Sequence, residues 1–177
     1  MIEKLEAEGA EVQSPALMGF VKYCAYNGVI KSRLLKTSNI SAFLYKQALN
    51  IIDYLEKPVK EALKDTRYRS VTNIYELANN VNGILSLGNQ TGEGWFLTAE
   101  MIELIKDGVK NVVCVQPFAW LPNYIVGKSV IKKIRKTYPD ANIIAIDYDP
   151  GASHTNQVNR IKLMLTVARE NLKDKIS

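Results

Sequence analysis

The sequence predicts an α/β protein, a three-layer sandwich with a small parallel sheet and a helical N-terminal half. Short apolar runs carry the prediction, at 84–87, 111–116 and 142–147. They are continuous rather than alternating, which is typical of strands buried on both faces of a parallel sheet. Helical patterns separate the runs in strand–helix–strand order, which implies right-handed crossovers. A length of 177 residues suffices for one domain with a real core.

The N-terminal half is predicted to be mainly helical, because its apolar residues recur at three- and four-residue steps. Helices are expected at 1–7, 16–26, 41–64 and 73–80. Glu11–Gln13 is a candidate edge strand before Pro15. Pro58 lies inside the third helical pattern, and we expect it to kink or split that helix because proline removes a backbone donor.

The C-terminal half alternates strands with helices. The helices are expected at Trp95–Lys106, Asn123–Tyr138 and about Thr155–Asp174. This alternation is typical of a Rossmann- or flavodoxin-like sheet, and the lack of any linker composition predicts one α/β domain over 1–177. A doubly wound sheet normally opens with a strand, whereas this chain opens with a helix. We therefore expect a fragment whose preceding strand lies in a longer protein, or a stand-alone homologue of part of one.

The net charge of +5 and three basic clusters, at 31–36, 57–69 and 128–136, leave two interpretations open. The clusters would suit nucleic acid or phosphate-bearing ligands. They are also what solvated helix faces with lysines in the last turns look like. The second interpretation is favoured because no nucleic-acid-binding pattern accompanies the charges, so nucleic acid is not expected as a partner.

No segment of the sequence predicts a membrane or secreted protein. The apolar runs are far shorter than the ~20 residues that span a bilayer, and the charged N-terminus lacks a signal peptide's apolar stretch. A cytoplasmic protein without a membrane partner is therefore expected. Its two cysteines, Cys24 and Cys114, form neither a CxxC pair nor a zinc pattern. Each is expected to be a small buried residue.

Candidate site residues follow the predicted strands directly, in the loops 88–94, 116–123 and 147–154. In open parallel sheets, ligands bind outside the carboxyl ends of the strands, so we expect these loops to converge on one edge. The residues expected to bind a ligand or partner are Asn89, Gln90, Thr91, Glu93, Gln116, Phe118, Trp120, Asn123, Asp147, Asp149 and Ser153. No Ser–His–Asp arrangement, HExxH motif or complete nucleotide motif accompanies them, so catalysis is left open.

Each loop also has a purely structural interpretation. The glycines of 88–94 would let backbone N–H groups approach an anion, or they serve a tight turn that requires positive φ. Pro117 and Pro122 bracket an apolar segment, which is either a lid on the core or the wall of a pocket or interface. Asp147 and Asp149 could bind Mg²⁺ or act in acid–base chemistry, or they belong to a turn.

Several of these segments resemble one family. Residues 86–98, 116–118, 121–123 and 145–153 read SLGNQTGEGWFLT, QPF, LPN and AIDYDPGAS. They are similar to the C-terminal region of the large CoA-substrate-specific enzyme activases, the 2-hydroxyacyl-CoA dehydratase activator family, a region that is itself dehydratase-subunit-like. In that family, ATPase modules with an iron–sulfur cluster deliver an electron to a 2-hydroxyacyl-CoA dehydratase, whose subunits hold [4Fe-4S] clusters through cysteines.

The chain departs from the family pattern at two positions. Trp120 stands where the resemblance leads us to expect a cysteine, and Tyr124 where it leads us to expect a histidine. Because cluster ligation needs thiolates, no cofactor is expected in this chain; ATP and [4Fe-4S] belong to other domains of the family.

The resemblance implies an accessory or regulatory domain of an activator-like protein, which binds a partner or small ligand at the strand ends. The alternative is a dehydratase-like component that acts on an acyl-CoA with an iron–sulfur cluster supplied in trans. The expected partners are other domains of an activase or a dehydratase component, and a homo-oligomer is left open.

Overall fold

Helices dominate the structure, a computed structural model that describes residues 1–66, 68–70, 72–148, 151 and 154–173. Its elements are, in order, α1 (Ile2–Ala7), α2 (Leu17–Leu34), α3 (Asn39–Leu63), α4 (Ile74–Asn80), α5 (Gly94–Lys106), β1 (Asn111–Pro117), α6 (Leu121–Asn123), a π-helical turn (Tyr124–Lys128), α7 (Ile131–Thr137), β2 (Asn142–Tyr148) and α8 (His154–Lys173).

The chain divides into two compact units, which are described separately. Unit 1 consists of Met1–Ser14 and Glu100–Ser177, and unit 2 of Pro15–Ala99. The one domain expected over 1–177 stays a prediction.

The sheet of unit 1 consists of β1 and β2, which run parallel. Asn111 lies level with Asn142 at the start of the strands, and Pro117 lies level with Tyr148 at their end. Both strands lie within one residue of their predicted bounds, because their continuous β-branched runs favour buried, extended backbone. A mixed α/β protein with a small parallel sheet is thereby confirmed.

One side of β2 is covered by α8. Ile146 of the strand packs with Ile161, Met164 and Leu165 of the helix, and Leu5 of α1 joins the same buried cluster. The helical residues lie three and four positions apart, so they fall on one side of α8. This apolar side is what fixes the last helix to the sheet.

Residues 84–87 do not form the predicted strand. They belong to turns that follow α4, in which the N–H groups of Ile84 and Leu85 both bond to the Val81 carbonyl. A run of so few apolar residues does not distinguish a buried strand from the end of a helix. The edge strand expected at Glu11–Gln13 is not formed either. Among the described residues the sheet has two strands, so the three-layer sandwich stays a prediction.

Two helices of unit 2 are longer or more regular than predicted. α2 continues to Leu34, well beyond the predicted end at Tyr26. α3 continues through Pro58 as one helix, so a split at this proline is wrong, while a kink there stays a prediction. Ser38 caps α3, since its hydroxyl oxygen accepts the Ile40 N–H at 3.2 Å. In the described part of the chain, no helix has the length and apolar character needed to cross a bilayer.

The helix expected over 123–138 is divided into α6, the π-helical turn and α7. In the turn, the Ser129 N–H bonds to the Tyr124 carbonyl five residues back at 3.2 Å. The Ser129 hydroxyl also donates to the Ile125 carbonyl. Serine side chains that bond to preceding carbonyls disturb regular helices, which apolar spacing does not reveal.

Candidate functional site

The carboxyl ends of β1 and β2 lie side by side in unit 1, where Gln116 is level with Asp147. The Phe118 N–H extends the pairing by bonding to the Tyr148 carbonyl at 2.9 Å. Residues at the same level of parallel strands project to the same face, so Gln116 and Asp147 share a face. The second and third predicted loops therefore begin at one edge. The loop 88–94 lies in unit 2, so the convergence of all three loops stays a prediction.

Buried side-chain oxygens of Gln116, Asn123 and Asp147 have no hydrogen-bond partner among the described residues. Gln116 is fully buried and donates through Nε2 to Cys114 Sγ at 3.0 Å, which leaves its Oε1 unpaired. Asn123 is 5% exposed and donates through Nδ2 to the Val115 carbonyl at 3.4 Å, which leaves its Oδ1 unpaired. An unpaired buried acceptor costs about 1–3 kcal/mol. These oxygens would therefore accept donors from a ligand or partner.

Asp147 also lines an open cleft of about 460 Å³ beside the first turns of α8. Its Oδ2 lies 3.5 Å from Lys128 Nζ and 3.8 Å from Arg160 Nη1. Both cations are about half exposed, so these long ion pairs hold the carboxylate only weakly. Gln157 Nε2 donates to the Asp147 carbonyl at 3.0 Å, which fixes the start of α8 at the strand end.

The apolar loop after β1 faces solvent rather than the core. Phe118 and Leu121 are 61% and 65% exposed, and Trp120 is 44% exposed. Ala119 holds a φ of +57°, in the left-handed region that only glycine adopts freely. The exposures favour the wall of a pocket or an interface over a lid on the core. We call the following residues together the strand edge: Gln116, Phe118, Trp120, Asn123 and Asp147.

The glycine-rich loop 88–94 is a tight turn in unit 2. Gly94 takes a φ of +49°, as that interpretation requires. The loop's own carbonyls accept the first N–H groups of α5: Trp95 bonds to Asn89 at 2.7 Å, and Gly94 bonds to Thr91 at 3.1 Å. N–H groups engaged in this way are not available to an anion. The turn is therefore favoured over the phosphate cradle.

Tyr23 of α2 holds this loop in place. Its hydroxyl lies 2.9 Å from the Gly92 carbonyl and 3.2 Å from the Gln90 carbonyl, and can donate to either. Burial raises the pKa of the Tyr23 phenol, so it remains a donor at neutral pH. The side-chain Nε2 of Gln90 is buried without a partner among the described residues. The sequence carries no local signal for this role of Tyr23, because the fold brings distant segments together.

The other predicted site residues are less informative. Thr91 is exposed and Glu93 is half-buried, while Asn89 donates to a carbonyl of its own turn at 3.0 Å. Asp149 and Ser153 lie outside the described residues. The predicted pair of carboxylates, Asp147 and Asp149, therefore stays a prediction.

The two cysteines have different environments. Cys24 is exposed, so its predicted burial is wrong, whereas Cys114 is buried as expected. Burial raises the pKa of the Cys114 thiol to about 11, despite its hydrogen bond from Gln116. Such a thiol stays protonated at neutral pH, and cluster ligation requires a thiolate. The absence of a cluster from this chain stays a prediction.

Comparison of the chain with protein-family models, with curated proteins and with solved structures gives no match.

Proposed function

We propose that the chain is an accessory or regulatory domain of a 2-hydroxyacyl-CoA dehydratase activator-like protein, which engages a partner at the strand edge. The observation that carries the proposal is the set of buried, unpaired oxygens beside an exposed apolar loop. Segments of this edge, 116–118, 121–123 and 145–148, are among those that resemble the activator family. The proposed setting is a cytoplasmic, Rossmann- or flavodoxin-like three-layer sandwich, which binds ligands at the carboxyl ends of its strands.

A polypeptide suits the strand edge better than a small anion. The unpaired oxygens are acceptors, and proteins supply N–H donors from backbone and side-chain amides. Phe118 and Trp120 offer apolar area beside these oxygens, and buried aromatic residues are common centres of protein interfaces. An anion would instead find only acceptors at the unpaired oxygens of Gln116 and Asn123, which have no proton to donate to it. Other domains of an activase, or a dehydratase component, are therefore the proposed partners.

Binding to these partners tests the proposal. The full chain is titrated calorimetrically against a dehydratase component and against the ATPase modules of an activase. Trp120→Ala should weaken binding about 30-fold or more, because truncating a central interface tryptophan costs at least about 2 kcal/mol. Lys132→Ala, an exposed position on α7, is the control and should change binding less than about 2-fold. The proposal is contradicted if the wild type, Trp120→Ala and Lys132→Ala bind with equal affinity. It is also contradicted if the wild type binds neither the dehydratase component nor the ATPase modules.

A further inference from the structure

α3 has apolar residues on two opposite sides. Leu49 and Glu56 mark the buried side, which packs on α2 within unit 2. The opposite side carries large apolar residues that are between 55% and 71% exposed. We call these residues the α3 stripe: Ile40, Leu44, Ile51, Tyr54, Leu55 and Val59.

Helical spacing places the stripe on one side of α3, with the exposed Gln47 as a polar residue inside it. At about 100° per residue, its members lie within about 80° of Ile51 around the helix axis. The exposed polar residues Lys46, Asn50 and Lys57 lie about 100° or more from Ile51 and form a separate strip. A surface helix normally turns its apolar stripe towards the core and its polar residues towards water. In α3, an apolar side faces water as well.

The exposed area is close to what a stable interface requires. If large side chains bury about 150–250 Å² each, six of them at these exposures offer roughly 570–960 Å². Soluble monomers rarely expose contiguous apolar patches larger than about 300–600 Å². A standard protein interface takes about 800 Å² from each partner. The α3 stripe therefore has the size of one half of an interface.

We propose that the α3 stripe pairs with the same stripe of a second copy of the chain, with the two helices antiparallel about a two-fold axis near Ile51. Such an interface must be self-complementary. Stripe residues extend from Ile40 before this centre to Val59 after it, so antiparallel copies overlap along most of the stripe. The arrangement opposes the helix dipoles and keeps Lys46 and Lys57 outside the contact, so like charges do not meet.

The oligomeric state of the full chain tests this pairing. Sedimentation equilibrium from about 1 to 100 μM should give twice the chain mass of 19.9 kDa for the wild type. Ile51→Lys should weaken dimerisation at least about 100-fold, because it places two buried charges together at the centre. Asn50→Lys adds the same charge on the polar strip and should change the dimerisation constant less than about 3-fold. A monomeric wild type, or equal effects of the two substitutions, overturns the pairing.

Additional variants separate lost pairing from lost folding. Leu55→Lys lies at a second exposed stripe position and should also give monomers with unchanged circular dichroism. In a Cys24→Ser background, which removes the exposed native thiol, Ile51→Cys should form an interchain disulfide under mild oxidation, whereas Asn50→Cys should not. Crosslinking only through position 50 would place the interface elsewhere. These outcomes concern unit 2 residues and are independent of partner binding at the strand edge.

Discussion

Gly94 is the residue on which the turn before α5 depends. An added Cβ would lie 2.2 Å from the Asn89 carbonyl oxygen and 2.5 Å from the Tyr23 hydroxyl. Gly94→Ala should therefore lower the free energy of unfolding by about 2–4 kcal/mol, through steric overlap and a φ that alanine disfavours. Urea unfolding followed by circular dichroism measures this loss.

Gly83 provides the control for the steric part of that effect. It also has a positive φ, of +76°, but a Cβ there would meet no atom within 4 Å. Gly83→Ala should lower the free energy of unfolding by only about 1 kcal/mol, the penalty for a non-glycine residue at positive φ. Similar losses at Gly83 and Gly94 would show that the neighbours of the turn yield to the added methyl group.

Gln116 should contribute to binding at the expense of stability. Its Oε1 is buried and unpaired, and methionine has nearly the same shape without the amide. Gln116→Met should keep the free energy of unfolding or raise it by about 1 kcal/mol, while it weakens partner binding about 10-fold. On one preparation, urea unfolding measures the change in the free energy of unfolding and calorimetry measures the change in partner affinity. Lower stability with unchanged binding would assign Gln116 a structural role.

The α2–α3 hairpin contains a buried charge cluster. Lys22 is fully buried, with its Nζ 3.0 Å from Asp53 Oδ1 and 2.5 Å from Glu56 Oε2, and Lys60 Nζ lies 3.2 Å from the same Glu56 oxygen. Lys22→Met should lower the free energy of unfolding by about 3–5 kcal/mol, because it leaves the buried Glu56 without its main counter-charge.

The double variant Lys22→Met with Glu56→Leu should recover part of that loss, since apolar replacement of both partners is often neutral. Urea unfolding of both single variants and the double variant completes the cycle. If the two losses simply add, the ion pair does not couple the two helices.

The elements that the sequence predicted well are those with long or strongly patterned apolar runs. β1, β2, α5 and α8 lie within a residue or two of the expected bounds where the structure describes them. The run at 84–87 was too short for its periodicity to separate a strand from a turn. Pro58 did not split α3, because packing against α2 along a long helix offsets the loss of one backbone hydrogen bond.

The candidate site was predictable only in part, for a related reason. Gln116, Asn123 and Asp147 could be found because they follow strands, and position along the chain indicates the edge of a parallel sheet. Their unpaired oxygens could not be predicted, since hydrogen-bond partners depend on tertiary contacts. The role of Tyr23 in holding the glycine-rich turn depends on a contact across nearly seventy residues, which spacing does not encode.

At the scale of the whole molecule, each unit carries one candidate binding surface. The strand edge belongs to unit 1 and the α3 stripe to unit 2, and the two share no residue. The proposed self-association therefore uses none of the residues proposed for partner binding. A variant that abolishes self-association should leave partner binding unchanged, and the reverse should also hold. Each surface can therefore be assigned separately.

The π-helical turn between α6 and α7 determines which changes of chain length this edge can tolerate. A π-helical turn contains one more residue than an α-helical turn, so α6 and α7 are out of phase by about 100° relative to one unbroken helix. This offset lets Asn123 bond to the β1 backbone while Arg135 donates to the Ile143 carbonyl of β2. Deleting one residue from 124–128 would make the helix more regular, yet it would turn Asn123 away from the strand. The turn thus acts as a one-residue insertion. Its removal would give a more regular helix but would break the hydrogen bond of Asn123 to β1.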